Sequence, residues 1–582
     1  MKNKVSLSKF KRIIPYLKDD KKLFLGGLLS MIFVSGAQLL DPLILAHIID
    51  NSVPAGDVQD MILWGGLFII VIVISGVLSY FQTIMLARLG VKVITKLKYN
   101  VFEHMMKLPV SYFDKHPVGK LIARVESDGE KVKQLFSQFS VMILGNLMFF
   151  IGMLAIMFYK NWQVTMAIAL PLPLLLAIVI IVVRYLARYY RKIRSLYADV
   201  SGVLAEYIQG VSIIQLFNRE NTVERILDSK SRQKRGMETK AAFIEYSFWG
   251  ILFFIVETMF IVIVILLTVP KIFAGIMTIG TLIVFIQYGR RIFEPLLQIS
   301  ETINMMQRAF VSLNRMFTIL DMEPEEDEGA ICKVDFNNSI EFRNVWFAYN
   351  KNEYVLKDVS FTVKKGEKIA LVGASGSGKT TTISLLERFY SIDRGDILVD
   401  GRSIYDFDLK AWRSGMGLVL QDIYLFPGSV TENVRLYNDD IPVSKVKNAL
   451  TAVQADIFIN EDRKGMNAEL LERGQNVSVG EKQLVSFARA LVFNPDIIIM
   501  DEATASVDAM TEKKIQKAVE EMLRGKTAVI VAHRLSSVIN ADKILLFQDG
   551  KILAQGTHSE MMRTCKEYEK LVKLQFLSRE DL

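Results

Sequence analysis

The chain has 582 residues, too many for one ordinary hydrophobic core, so two or three domains are expected. Hydrophobic residues make up 51% of it and the formal net charge is +8. The apolar excess is concentrated in the N-terminal half, which excludes an ordinary soluble enzyme. The cations lie beside apolar runs, which points to the inner face of a membrane rather than to nucleic acid.

From the N-terminus, residues 2–22 are basic and amphipathic, as suits a helix lying on a membrane surface, and no cleavable signal peptide is expected. Six apolar stretches are long enough to span a bilayer: 23–49, 61–85, 139–159, 163–185, 244–269 and 272–295. Asp41, before Pro42, reads as a break near the outer end of the first. The loop 50–60 contains Asp50, Asp57 and Asp60 but neither Lys nor Arg. Tight turns are expected near 160–162 and 270–271. The segments 87–138 and 187–243 are long and rich in Lys and Arg, so they and both termini belong on the cytoplasmic side. Both have helical periodicity, so the membrane helices should extend into the cytoplasm, with breaks at 111–119 and 210–218. Glu257 stands in the middle of the fifth stretch. A carboxylate there either favours cationic amphiphiles or bonds to a neighbouring helix.

The acidic segment 321–329, with Pro324 inside it, marks a domain boundary. The expected organisation is a membrane domain at 1–320, a linker at 321–338 and an α/β domain at 339–582. Cys332 and Cys565, the two cysteines, have no metal-ligand spacing and read as reduced thiols.

Within the α/β region, Gly373-Ala374-Ser375-Gly376-Ser377-Gly378-Lys379-Thr380-Thr381 carries the phosphate-cradling pattern G-x-x-x-x-G-K-[ST]. Glycines let backbone N–H groups close around phosphate oxygens, Lys379 supplies a positive charge, and the Thr380 hydroxyl can reach Mg²⁺. The apolar run 368–372 precedes it as a candidate buried strand, and a helix follows with its N-terminus toward the anion. Further on, the apolar run 497–500 ends in Asp501-Glu502. Asp501 at a strand end suits Mg²⁺ held through water, and Glu502 suits a general base for an attacking water.

Together these motifs resemble the ATP-binding cassette exporters, as a half-transporter with one six-span α-helical membrane domain, extended into the cytoplasm, fused to one α/β P-loop ATPase domain. The resemblance covers nearly the whole chain. It implies ATP and Mg²⁺ as ligands and a second half-transporter as partner. It further implies that Tyr349 stacks on adenine, that Gln421 contacts Mg²⁺ and water, and that His533 contacts the γ-phosphate. Residues 506–508 would meet the other cassette, and Glu472 fits the acidic position of a coupling loop, with Leu471 where glycine is usual. Tyr112-Phe113-Asp114 and 209–220 look like the two coupling regions.

One motif departs from the family. Its signature normally reads Leu-Ser-Gly-Gly-Gln; here it is Val477-Ser478-Val479-Gly480-Glu481. Ser478 and Gly480 remain to face the partner's ATP, but Val479 restricts the backbone and Glu481 brings a like charge toward triphosphate. With Lys379, Gln421, Asp501, Glu502 and His533 in place, this pattern resembles one subunit of a heterodimeric exporter. Its expected role is ATP-driven export of amphiphilic drugs or lipids across the cytoplasmic membrane. The alternatives are a lipid or peptide exporter of the same architecture and an ATP-gated channel or regulatory subunit.

Overall fold

The computed structural model describes residues 11–135, 145–292, 294–325, 327, 329–351, 353–459, 465–501, 509–532 and 538–575. They form two compact units. One takes in the residues up to Met106 together with Val118–Met322; the other takes in Lys107–Pro117 and the residues from Glu323 onward.

The first unit is helical. Its helices are α1 (Lys21–His47), α2 (Val58–Met105), α4 (Val118–Gln134), α5 (Asn146–Lys160), α6 (Trp162–Ala169), α7 (Leu172–Gln209), α8 (Val211–Leu216), α9 (Glu220–Phe273), α10 (Ile279–Arg291) and α11 (Glu294–Leu320); α3 (Val110–Lys115) belongs to the second unit. Among the described residues four helical stretches are long and apolar enough to cross a membrane: Lys21–Ala55, Val58–Met105, Trp162–Gln209 and Glu220–Phe273. In hydrocarbon every backbone polar group needs an internal partner, and a helix provides one. The third expected span is represented by the shorter α5; residues 136–144 lie outside the described set.

Two expectations are corrected. Helix α1 runs through Pro42 without a break. Tyr288 donates a hydrogen bond to Leu39 O at 2.5 Å, in the turn before the proline, while the carbonyl that loses its i→i−4 donor to Pro42 is that of Gln38. Likewise α9 continues through Pro270 to Phe273, so the turn predicted at 270–271 lies further on, and the next helix starts at Ile279. Thr278 accepts from Thr281 N and caps it, while Asp50 accepts from Gly280 N at 2.6 Å. A carboxylate at a helix N-terminus is favoured by the helix dipole. The expected breaks at 111–119 and 210–218 hold the short helices α3 and α8.

Small residues allow close helix approach here, as they do between membrane helices generally. A Cβ on Gly27 would lie 2.7 Å from Leu86, and one on Gly289 would lie 1.5 Å from the ring of buried Phe260. Nearer the C-terminus of this unit, buried Asp128 of α4 accepts from Ser312 at 2.9 Å and pairs with Arg315 and Lys131, tying α4 to α11.

The second unit is α/β. Its strands are β1 (Ser339–Ala348), β2 (Tyr354–Lys364), β3 (Lys368–Gly373), β4 (Arg394–Val399), β5 (Arg402–Ser403), β6 (Met416–Val419), β7 (Gly428–Ser429), β8 (Glu469–Leu470), β9 (Ile497–Asp501), β10 (Thr527–Val531), β11 (Lys543–Gln548) and β12 (Lys551–Gly556). A six-stranded sheet has the order β12-β11-β3-β10-β9-β6, parallel except for the β12 edge. Its central strands are continuously apolar, as strands covered on both faces must be. An antiparallel sheet, β2-β1-β4-β5, packs against one face through Phe342, Phe361, Ile369, Leu371 and Val529. The other face is covered by helices that contribute Leu484, Val485 and Ala488.

The fit of α10 against α9 gives a direct test. Gly289→Val should lower the stability of the detergent-solubilised chain by about 1–3 kcal/mol through overpacking. Adding Phe260→Ala should recover part of that loss in a thermal-unfolding assay.

Candidate functional site

The phosphate loop leaves the C-terminal end of β3, in the middle of the parallel sheet, where open α/β sheets bind ligands. Its turn depends on backbone that only glycine adopts easily: Gly376 has φ +78° and Gly378 has φ +106°. A Cβ on Gly378 would also lie 2.5 Å from Leu356. Helix α12 (Lys379–Leu386) then begins at Lys379. The Lys379 ammonium, only 6% exposed, donates to Gly373 O and Ala374 O, each at 2.9 Å. Burial lowers its pKa, partly opposed by Asp501. A desolvated cation held by two backbone carbonyls in a glycine cradle fits a phosphate anion.

Asp501 ends β9, two strands from β3, and the Thr380 hydroxyl donates to its Oδ2 at 3.3 Å. Gln421 follows β6, which pairs with β9 at Val419 and Met500, and it lines a small cavity of about 20 Å³ together with Asp501 and Gln483. Thus Lys379, Thr380, Asp501 and Gln421 share one end of the sheet. A hydroxyl and a carboxylate are hard oxygen donors that suit Mg²⁺. Tyr349 follows β1; its ring is 41% exposed and its hydroxyl hydrogen-bonds the Thr381 hydroxyl at 3.2 Å. Ser377 is buried, and Ala374 and Ser375 are exposed on the loop. Glu502, His533 and residues 506–508 lie outside the described residues.

The signature forms the N-terminus of α13 (Val479–Val492). Ser478 caps this helix, its hydroxyl accepting from Glu481 N, while the Glu481 carboxylate accepts from Ser478 N at 2.8 Å. Glu481 is therefore engaged with its own backbone in a capping box. Val479 is helical and exposed, so its β-branch meets no steric obstacle within this chain, and Gly480 is buried. Glu472 sits in a short turn beside Arg473, whose φ is +55°. Within the membrane unit, Glu257 of α9 pairs with Arg290 of α10 at 3.0 Å. This is the interhelical bond that the sequence allowed, and both side chains remain about half exposed.

Sequence reasoning did not single out Glu387. It follows α12, is 5% exposed, and its Oε1 has no hydrogen-bond partner. Burial pushes its pKa up to about 8, with Arg413 opposing and Asp501 reinforcing. No local pattern marks it, because its burial comes from distant chain segments.

With this geometry in place, comparisons with known proteins identify the class. Residues 23–296 match the family model for the ABC transporter transmembrane region, and residues 356–505 match the ABC transporter model. A probable multidrug resistance ABC transporter ATP-binding/permease protein of Bacillus subtilis is 36% identical over 88% of this chain and 76% of its own length. The ATP-dependent lipid A-core flippases of Idiomarina loihiensis and Haemophilus influenzae are 30% and 28% identical, over 97% and 98% of this chain and 98% of each relative. The chain belongs to the ABC transporter family. It is a membrane-embedded, ATP-hydrolysing half-transporter with both parts on one polypeptide.

Glu387 sets a pH dependence. Its ordinary value is 4.5, so as pH rises from about 4.5 to 8 the unfolded chain ionises this group while the folded chain keeps it neutral. Its contribution to stability is complete below that window and is lost as pH rises through it. Thermal unfolding across the window should therefore show Glu387→Gln gaining on the unsubstituted chain as pH increases.

Proposed function

We propose that the chain is one subunit of an ATP-driven exporter of amphiphilic compounds, drugs or lipids, working by alternating access. The observation that carries this reading is a buried, anion-seeking Lys379 beside the Thr380–Asp501 pair, on the same chain as helices of membrane length. The names of the relatives, multidrug and lipid A-core, support the two substrate classes. In this reading six spans cross the cytoplasmic membrane, with both termini and the cassette inside, as the distribution of Lys and Arg favours.

Gly373, Ala374, Ser375, Gly376, Ser377, Gly378, Lys379, Thr380 and Thr381 would cradle the phosphates, with Tyr349 on the base. Mg²⁺ would be held by Thr380, Gln421 and Asp501, where it would offset charge on the phosphate oxygens. Glu502 would polarise the attacking water and His533 would contact the γ-phosphate, as the resemblance of their motifs implies. ATP favours closed cassettes because it contacts both of them, which biases the equilibrium between two states of the membrane helices. Glu502→Gln should leave ATP binding intact and abolish turnover. ATP-dependent substrate accumulation in inside-out vesicles measures the loss, and near-normal accumulation would overturn the base assignment.

The partner in this proposal is a different half-transporter. In the capping box, Ser478 N–H is spent on Glu481, and the carboxylate places negative charge at the helix end that should attract a partner's phosphate. Glutamine would keep the box without the charge. Val479→Gly combined with Glu481→Gln should therefore raise the ATPase rate of the purified chain alone, by about two- to fivefold. A homodimer of the unsubstituted chain that hydrolyses ATP at both sites and transports would remove the heterodimer reading.

A further inference from the structure

Asp114 of α3 lies in the second unit, where it accepts a hydrogen bond from the Tyr390 hydroxyl. The backbone holds the segment as well: Glu325 N donates to Lys107 O at 2.7 Å. The Tyr390 ring stands perpendicular to that of Tyr349, with centroids 4.9 Å apart. Phe347 meets both rings edge-on, at 4.9 Å and 5.6 Å. The far end of Tyr349 reaches Thr381, beside the phosphate loop. A continuous chain of contacts therefore runs from a helix of the first inner segment to the nucleotide site, along a cleft of about 720 Å³ lined by Pro109, Lys115, Tyr349 and Tyr390. Burial, then Asp114, push the Tyr390 phenol upward, so it remains a hydrogen-bond donor at neutral pH.

We infer that Tyr390 is a positioning residue for the nucleotide base: gripped by Asp114, it fixes the ring of Tyr349 in the orientation that adenine stacks on. A ring already immobilised adds little ordering cost on binding, whereas a loose ring must be ordered at the expense of affinity. The short helix α3 thereby sets the affinity for the base, separately from the affinity for phosphate. This rests on Tyr349 being the adenine platform.

The test uses the full-length chain in lipid nanodiscs and displacement of a fluorescent ATP analogue by Mg·ATP or by Mg·tripolyphosphate, which has no base. Tyr390→Phe and Asp114→Ala should each weaken ATP by roughly three- to tenfold, a fraction of a full stacking contact, and the double variant should be no weaker than either single. Asp114→Asn, which keeps an acceptor oxygen, should stay within about twofold of the unsubstituted chain. Tripolyphosphate binding should change by less than about twofold throughout, which also reports an intact fold. Additive losses, equal losses for tripolyphosphate, or unchanged ATP affinity in both singles would overturn the inference. Tyr349→Ala separates the two levels. If it leaves ATP affinity unchanged, the platform reading fails; if it alone weakens ATP, only the positioning role of Tyr390 fails.

Discussion

The cassette is organised around one desolvated cation. Lys379 is held by two carbonyls at the end of β3, and the field of Asp501 opposes the effect of its burial. An ammonium taken out of water is costly unless it is paired. Only a stiff surround can keep it there, and the parallel sheet supplies one: β3 lies between β10 and β11, with apolar cores on both sides. The same sheet brings Asp501 to Thr380 without any local sequence connection between them. Fold and phosphate affinity are two views of one arrangement.

The signature helix shows how a substitution can preserve structure and change electrostatics. Ser478 and Glu481 satisfy each other's backbone at the start of α13, as serine and glutamine can. Arg489 of the same helix donates to Asn433 O and Tyr424 O, so the helix is also anchored by its third turn. Local stability is therefore intact. What changes is the sign of the charge offered to anything approaching the N-terminus, which is a property of binding and not of folding.

Much of the cassette was legible in the sequence because its signals are local. Glycines at positive φ, an apolar run before them and a helix after them all fall within a dozen residues. Glu481 was read only as a charge, and its capping box with Ser478 emerges from the structure. The membrane unit was harder. Pro42 and Pro270 read as breaks, yet both sit inside helices. Packing against other helices holds such a segment straight, and the bond from Tyr288 to Leu39 O, just before Pro42, spans 249 positions of sequence. The Glu257–Arg290 pair, buried Glu387 and the Tyr390–Asp114 bond likewise depend on chain segments far apart, which no short window records. Glu502 and His533 stand on the resemblance of their motifs to the family.

Helix α2 has a mechanical consequence. Its 48 residues form one uninterrupted rod, about 72 Å long at 1.5 Å per residue, whereas a bilayer core needs only about 30 Å. In its C-terminal third the N-terminal segment grips it through Lys92–Asp20, Lys96–Asp19 and the Asn100–Tyr16 hydrogen bond. That grip is a fulcrum. A tilt of about a tenth of a radian there would swing the arm of roughly 51 Å between Lys92 and Val58 through roughly 5 Å. The rod turns small angular changes at one end into side-chain-sized displacements at the other, with no need for either end to unfold.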